Sequence, residues 1–307
     1  MGLLAGARHR PGSMAASFRE PCREADTPHP GDGSTPSAID IRPLARQFAR
    51  IQPMKPISRR DLLTKSAIFG AAVAVGVPQA MAEPSSPALP KRKVVVTGGH
   101  PGDPEYGCGG TIARYTDLGH EVVLLYLNRG DWTDQPGYDP VPVRVAEATK
   151  ACTILRARPL FAGQIDGQSI VDRAHYDQFH ELLQAEQPDV VFTQWPLDNH
   201  PDHRAISLLV YESWRRSGKK FALYYYEVSN GEDTIQFNPT HYVDISATES
   251  RKRSACYAHA SQSPDRYYSL QESVTRLRGL ESGHKQAEAY IRLVQSPDFG
   301  LPGVCAT

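Results

Sequence analysis

The chain lacks a net charge of either sign. Its 307 residues include 34 lysines and arginines and 34 aspartates and glutamates, so the formal net charge is +0. A protein that binds nucleic acid or an anionic membrane surface normally carries a clustered excess of Lys and Arg, because binding displaces counterions. Balanced charge therefore argues against a dedicated nucleic-acid-binding protein, and no nucleic-acid partner is predicted.

Paired cysteines and long apolar runs are also lacking. The five cysteines contain no Cys-x-x-Cys pair, and their spacings differ from those of a disulfide scaffold. The apolar run at residues 67–77 has 11 apolar or small residues, whereas a membrane-spanning helix needs about 20. No stable membrane span is expected in the mature protein.

The N-terminal third is composed unlike a folded domain. Residues 1–53 are polar, rich in proline, glycine and arginine, and have no sustained helical or alternating periodicity. They are interpreted as a disordered segment or as sequence upstream of the true start at Met54.

Residues 54–82 combine Arg59-Arg60, the apolar run and a small-x-small site at Ala82, as a twin-arginine signal peptide does. A chance basic-then-apolar stretch or a short membrane anchor is the alternative.

A signal of this kind predicts export to the periplasm or the extracellular space. Residues 83–90 contain three prolines and are interpreted as a linker. The remaining residues 91–307 suit one domain. There strand-like runs at 93–97, 121–127, 160–161, 189–193 and 221–228 alternate with helix-like stretches at 109–118, 143–155, 171–185 and 201–216. This alternation predicts an α/β fold, a Rossmann-like, doubly wound, mainly parallel sheet with helices on both faces.

Two loops after predicted strands carry unusual chemistry. His100 and Asp103 follow the first strand, and His200 and His203 follow the fourth. Ligands of doubly wound sheets bind in a crevice at the carboxyl ends of the strands, so these side chains should line the same crevice. Imidazole nitrogens and carboxylate oxygens are ligands of catalytic zinc, which keeps one coordination position open for water or substrate. The residues therefore predict a metal held by His100, Asp103 and one of His200 or His203.

Simpler interpretations exist for the same residues. His and Asp are common turn and cap residues, and Asp202 could cap the helix that Pro201 opens. The glycines around the first loop do not have the G-x-G-x-x-G spacing of a dinucleotide-binding turn. It is the placement of both loops at the same end of the predicted sheet that favours a metal site.

Three groups of residues resemble a known family. Residues 99–105 (GHPGDPE) run into the glycine-rich segment 107–112, and residues 200–205 read HPDHRA. Further matches lie at 242–246, Lys252, 258–262, Gly283 and 287–290. Over about residues 92–292 the chain is similar to the PIG-L/LmbE family of zinc-dependent N-deacetylases.

The resemblance implies a function and a ligand set. The reaction is hydrolysis of an N-acetyl group from an N-acetylated sugar or a similar small amide. One Zn²⁺ per chain, or another divalent metal, binds His100, Asp103 and His203. His200 stabilises the tetrahedral intermediate. An alternative is a catalytically impaired zinc- or sugar-binding pseudoenzyme of the same fold.

One position departs from the family pattern. The family's general base is an aspartate, and here that position is Gly102. Loss of a positioned base typically costs about 10²- to 10⁴-fold in rate. Three residues are candidates to take over its role: Glu105, Asp202 and His200. Glu105 ranks first because it is a carboxylate in the same turn; its simpler interpretation is a residue that faces solvent or the helix dipole.

Substrate contacts are expected from other loops at the same end of the sheet. Arg129 and Asp131 can bond sugar hydroxyls, Trp132 can offer a ring face to a pyranose, and Asp198 is a further candidate. The simpler interpretation of residues 129–132 is a turn with a packed aromatic. His259 matches a family motif of uncertain role and is treated as structural. The physiological metal and assembly into a homo-oligomer stay open at this stage.

Overall fold

The computed structural model describes residues 90–229 and 231–302. The predicted upstream segment 1–53, the predicted signal peptide 54–82 and all of the predicted linker except Pro90 lie outside these residues. Within the described ranges, no helix is both long and apolar enough to cross a membrane.

A seven-stranded sheet forms the centre of the described region. Its strands are β1 (Lys93–Gly98), β2 (Glu121–Tyr126), β3 (Arg158–Phe161), β4 (Val190–Gln194), β5 (Ala222–Tyr226), β6 (His241–Asp244) and β7 (Ala287–Arg292). Their spatial order is β3-β2-β1-β4-β5-β7-β6. β1 to β5 are parallel, whereas β7 runs antiparallel to both β5 and β6.

Within the part of the chain that the structure describes, six helices accompany the strands. They are α1 (Asp103–Asp117), α2 (Val141–Leu155), α3 (Arg173–Ala185), α4 (Pro201–Arg216), α5 (Glu249–Tyr257) and α6 (Pro264–Ser282), with a short 3₁₀ turn at Ala260–Gln262. Strand and helix alternate from β1 to β5, as a doubly wound sheet requires. The predicted α/β fold with a mainly parallel sheet is confirmed.

Both faces of the sheet are covered by apolar packing. Val94 and Val96 of β1 belong to one core cluster, and Val95, which points to the opposite face, belongs to another. All three side chains have no exposed surface. Successive side chains of a strand alternate between faces, so a strand buried on both faces is continuously apolar. This explains the β-branched run at residues 94–96.

The first helix begins earlier than the sequence pattern predicts. The predicted helix starts at residue 109, whereas α1 starts at Asp103 with Pro104 in its first turn, a position that proline tolerates. The glycines of segment 107–110, which resemble a turn in the sequence, lie in this helix and allow neighbouring side chains to pack closely against it. A Cβ at Gly107 would lie 2.3 Å from the Tyr226 ring, and one at Gly110 would lie 2.5 Å from Ile245. Only glycine allows the helix to approach this closely.

The strand order reverses between β1 and β4. β2 and β3 lie on one side of this point, and β5, β7 and β6 lie on the other. Loops that leave neighbouring strands at such a reversal diverge and open a crevice at the carboxyl ends. The loops that carry His100 and His200 are the two loops at this crevice.

Candidate metal centre and cavity

The loop between β1 and α1 holds Asp103 in a fixed position. The backbone N–H of His100 donates to Asp103 Oδ2 at 2.8 Å, and Gln194 Nε2 donates to the same oxygen at 3.1 Å. Gln194 Oε1 in turn accepts the backbone N–H of Gly99 at 2.8 Å. The last residue of β4 therefore connects the first loop to the second.

The second loop begins α4 with a histidine cap. His200 Nδ1 accepts the backbone N–H of Asp202 at 3.2 Å, and Pro201 occupies the first turn. Asp202 is not the cap residue that the simpler interpretation expected, because its side chain lies inside the protein with no exposed surface. The cap directs His200 and His203 toward the first loop.

His100, Asp103 and His203 meet at one oxygen atom. Asp103 Oδ2 lies 3.3 Å from His100 Nδ1 and 3.3 Å from His203 Nε2. A tetrahedral zinc ion with bonds of about 2.0–2.1 Å holds its ligand atoms about 3.3 Å apart. His100 and His203 also form a group with His200, in which the three ring nitrogens lie within 4.8 Å of one another. These separations fit a divalent metal.

The remaining ring nitrogens face carboxylates. His203 Nδ1 lies 3.0 Å from Asp198 Oδ1, and His100 Nε2 lies 3.1 Å from both Asp166 Oδ1 and Asp202 Oδ2. Metal-binding histidines usually donate their second N–H to a carboxylate, which fixes the ring and its tautomer. His100, Asp166 and Asp202 also form a second group close enough to hold an ion, but the two carboxylates lie at hydrogen-bond distance from one nitrogen.

Without a metal, the acidic neighbours control protonation. Burial by itself lowers the pKa of His203, but Asp103 and Asp198 outweigh it and raise that pKa to about 9. Burial opposes protonation of His100 too, yet Asp103, Asp166 and Asp202 raise its pKa well above the usual value. Burial would raise the pKa of Asp103, but the two imidazoles hold it well below the usual value.

His200 differs from the other two histidines. Burial, followed by the charges of His100 and His203, lowers its pKa. Because Nδ1 accepts the Asp202 amide, the neutral ring carries its proton on Nε2. The structure therefore favours a neutral N–H donor at His200 rather than an imidazolium.

A cavity of about 540 Å³ opens over the cluster. His100, Asp103, His200 and His203 line it together with side chains from other segments of the chain. Those side chains include Trp132, Arg144, Asp166, Asp233, His259 and Tyr267. A volume of this order is typical of a small-molecule site.

Glu105, ranked first as the replacement base, does not line this cavity. Its side chain has no exposed surface, and Oε1 accepts the Tyr126 hydroxyl at 2.7 Å and lies 3.0 Å from His259 Nε2. Residue 105 is in the first turn of α1 and points into the core beneath His259. The expected role of Glu105 as replacement base does not fit this geometry, since both contacts would have to break before its carboxylate could reach the cavity.

Asp202 and Asp198 are buried groups that hold other residues in place. Asp202 Oδ2 accepts Asn128 Nδ2 at 3.1 Å and the Gly167 amide at 2.8 Å, in addition to facing His100. Although burial opposes it, His100, the Gly167 amide and Ser169 lower the pKa of Asp202 strongly, which makes it a poor proton acceptor. Asp198 is 4% exposed and does not line the cavity. Its expected substrate contact is therefore corrected to a contact with His203.

Only part of segment 129–132, which is predicted to contact substrate, lines the cavity. Arg129 and Asp131 form an ion pair with each other at 3.0 Å and do not line the cavity. Trp132 does line it and is 67% exposed. The tryptophan is the member of this group that can reach a bound molecule.

Sequence reasoning missed several residues of the site. Asp166 follows β3, Arg144 lies on α2, and Asp233 follows β5. The signal available was position, because Asp166 and Asp233 follow the carboxyl ends of parallel strands. No signal in the sequence indicates Arg144. In the structure only 6% of its surface is exposed, and its guanidinium donates to the Pro101 carbonyl at 3.0 Å.

The fold and the cluster define a doubly wound α/β protein with a His/Asp metal-binding geometry at its sheet reversal. Residues 95–214 match the PIG-L family, described as GlcNAc-PI de-N-acetylase. The diacetylchitobiose deacetylase of Thermococcus kodakarensis is 30% identical over 223 residues, which cover 66% of this chain and 83% of that protein. The chain belongs to the PIG-L family of N-deacetylases.

Solved structures show the same fold. The conserved protein TT1542 from Thermus thermophilus aligns with a TM-score of 0.58 and 27% identity, covering 69% of this chain and 98% of that one. N,N'-diacetylchitobiose deacetylase from Pyrococcus horikoshii, solved with its inhibitor MPG, aligns with a TM-score of 0.58 and 22% identity, covering 68% and 88%. The match thus spans most of both proteins.

Proposed function

We propose that this protein is a zinc-dependent hydrolase that removes the N-acetyl group from an N-acetylated sugar. The observation that carries the proposal is the meeting of His100 Nδ1 and His203 Nε2 at Asp103 Oδ2, each 3.3 Å away. The family and the diacetylchitobiose deacetylase relative support the reaction class. Another small amide as substrate and another divalent ion are alternatives within the same chemistry.

Three residues would hold the ion. His100, Asp103 and His203 supply two nitrogens and one oxygen, a donor set that suits zinc with an open position. Bound there, a divalent ion supplies Lewis-acid chemistry, polarising a carbonyl and lowering the pKa of water. Asp198 and Asp166 or Asp202 accept the second N–H of each ligand histidine, which fixes the rings.

His200 stabilises the oxyanion that forms when the amide carbonyl is attacked. Its Nδ1 is occupied by the Asp202 amide, so Nε2 carries the N–H. A donor fixed before reaction and aimed at developing charge stabilises the transition state more than the ground state. Because the ring lines the cavity beside His100 and His203, it reaches the same carbonyl.

Trp132 supplies a ring face for the sugar. It lines the cavity while 67% of its surface is exposed, so a bound pyranose can cover it. We expect Trp132→Ala to raise KM about tenfold with little change in kcat, because the contact exists before and during reaction. Tyr138→Ala, an exposed aromatic of the same connection that does not line the cavity, is the control.

Acetate release tests the proposed function. The purified protein is loaded with Zn²⁺ and incubated with a panel of N-acetylated sugars, beside His203→Ala and the control His284→Ala. We expect release that needs zinc and falls by about 10³-fold or more in His203→Ala. Stoichiometric zinc without release from any sugar would refute the sugar deacetylase and favour another amide or a binding protein.

Residues 1–82 bear on where the protein acts. We propose that the twin-arginine pattern at Arg59-Arg60 exports the protein and that cleavage follows Ala82. N-terminal sequencing of the protein isolated from its own cell should find Glu83 first. An N-terminus before Met54 would contradict both the export signal and the assigned start.

A further inference from the structure

Amide hydrolysis needs a group that takes a proton from water and delivers it to the departing amine. Residue 102 cannot supply it, because Gly102 has no side chain. A Cβ built there would find its nearest neighbours at 3.7 Å, on the Tyr106 ring, and at 4.0 Å, on His259. Such a Cβ would make ordinary contacts with these two rings, and the proton carrier has to come from elsewhere.

Most acidic groups near the cluster are committed to other contacts. Asp103 is at the metal position, Asp166 and Asp202 face His100 Nε2, and Asp198 faces His203 Nδ1. Glu105 lies in the core behind His259. A carboxylate that orients a metal ligand is not free to exchange protons with a substrate.

Asp233 is the remaining carboxylate that lines the cavity among the described residues. Backbone bonds attach its segment to the loop that carries His200. The N–H of Asn199 donates to the Asp233 carbonyl at 2.9 Å, and the N–H of Ile235 donates to the Leu197 carbonyl at 3.1 Å. Thr234 also bonds Asp198 Oδ2 through its hydroxyl, at 3.0 Å. Asp233 is therefore fixed beside the histidines.

The surroundings of the Asp233 side chain suit proton exchange. It is partly buried and hydrogen bonds with the Ser229 side chain. The ionisable groups that act on it are His203 of α4, Asp198 of the preceding loop and Asp103 of α1. His200, which caps α4, lines the same cavity. Burial, then the charges of Asp198 and Asp103, raise the pKa of Asp233 against the opposing effect of His203. A base whose pKa is closer to neutrality transfers protons more effectively.

We propose that Asp233 is the proton-transfer residue of this site. The assignment rests on the proposed function. Its carboxylate accepts one proton of the attacking water as the O–C bond to the acetyl carbon forms. It returns that proton to the amide nitrogen as the C–N bond breaks. The products are the free amine and acetic acid, whose carboxyl carries the second proton of the water and releases it to solvent to give acetate, and no oxidant or further reactant is needed.

The test compares Asp233→Asn and Asp233→Glu with the matched control Glu232→Gln in the zinc-loaded full chain. Glu232 is the neighbouring residue, pairs with Arg266 at the surface and does not line the cavity. We expect kcat of Asp233→Asn to fall about 10²- to 10⁴-fold with KM changed less than about threefold. Asp233→Glu should recover part of kcat with a shifted acidic limb of the pH profile, and Glu232→Gln should match the original protein.

A second readout does not depend on turnover. The carboxyl ¹³C signal that disappears in Asp233→Asn is titrated in metal-free protein labelled at aspartate. Its midpoint should lie above the ordinary aspartate value of about 3.9. A midpoint at or below that value overturns the assignment, even if Asp233→Asn fails to fold well enough for kinetics.

The outcomes separate the two proposals. An active original protein with an equally active Asp233→Asn, and an unchanged pH profile, overturns the role of Asp233 and leaves the deacetylase intact. A rise in KM alone overturns it as well, because it would assign Asp233 to substrate binding. An original protein that binds zinc but releases no acetate refutes the proposed function and the assignment built on it.

Discussion

His203 Nδ1 lies 3.0 Å from Asp198 Oδ1, and both side chains are almost completely buried. The same oxygen accepts the backbone N–H of His200 at 2.8 Å, while Oδ2 accepts the Thr234 hydroxyl at 3.0 Å. One carboxylate thus fixes the ring of a proposed metal ligand, the loop of the neighbouring histidine and the segment that bears Asp233. Partners of this kind orient metal ligands and increase their basicity.

Asp198→Asn should weaken zinc binding about 10- to 100-fold, because the amide cannot stabilise the His203 N–H as a carboxylate does. Competition with a calibrated zinc chelator measures the effect. Asp177→Asn, which removes a surface partner of Arg216, is the control and should change zinc affinity less than about twofold. Unchanged affinity in Asp198→Asn would show that the carboxylate does not support the metal.

Glu105→Gln should lower stability rather than remove catalysis. Glu105 is fully buried against Tyr126 and His259, and a badly matched buried polar group costs about 1–3 kcal/mol. A thermal melt should show the loss, while acetate release per bound zinc falls less than about fivefold. A fall of about 10²-fold or more at unchanged zinc content would instead make Glu105 the base. Glu121→Gln, at an exposed position, is the control.

Gly102→Asp should not restore an active base. Gly102 has φ +116° and ψ −40°, a conformation that costs other residues about 1–3 kcal/mol. Gly119→Asp is the matched control, since its φ is +81° and nothing lies within 4 Å of an added Cβ. Both variants should melt earlier, and neither should exceed the original activity. Activation of about 10²-fold in Gly102→Asp would show that this position still accepts the missing base.

Zinc binding should release protons below pH 9. In the metal-free protein the effect of burial on His203 is outweighed by Asp103 and Asp198, which raise its pKa to about 9, so the ring stays protonated up to that pH. Zinc requires the neutral ring and must displace the proton. Apparent zinc affinity should therefore rise about tenfold per pH unit for each displaced proton between about pH 6 and 8. Calorimetry in buffers of different ionisation enthalpy counts the protons, and a pH-independent affinity would contradict the assignment.

Much of the fold could be predicted because strand and helix periods are local. The β-branched run of β1 and the apolar segments of β2, β4 and β5 lie within a few residues of their predicted positions, and α4 has its predicted limits at Pro201 and Arg216. The elements β6, α5, α6 and β7 were not predicted. β7 enters the sheet antiparallel, between β5 and β6, and its place depends on contacts with distant strands.

For the site, the sequence by itself determined which residues stand together, since HPDHRA and GHPGDPE each place their histidine and carboxylate within one turn. It also showed the missing aspartate at Gly102. Only the tertiary structure decided which carboxylates face the cavity and which face a ring nitrogen. Glu105 and Asp198 were expected at the cavity but are buried away from it, whereas Asp166 and Asp233 line it without having been expected there. The direction in which a side chain points depends on packing between segments that lie far apart along the chain.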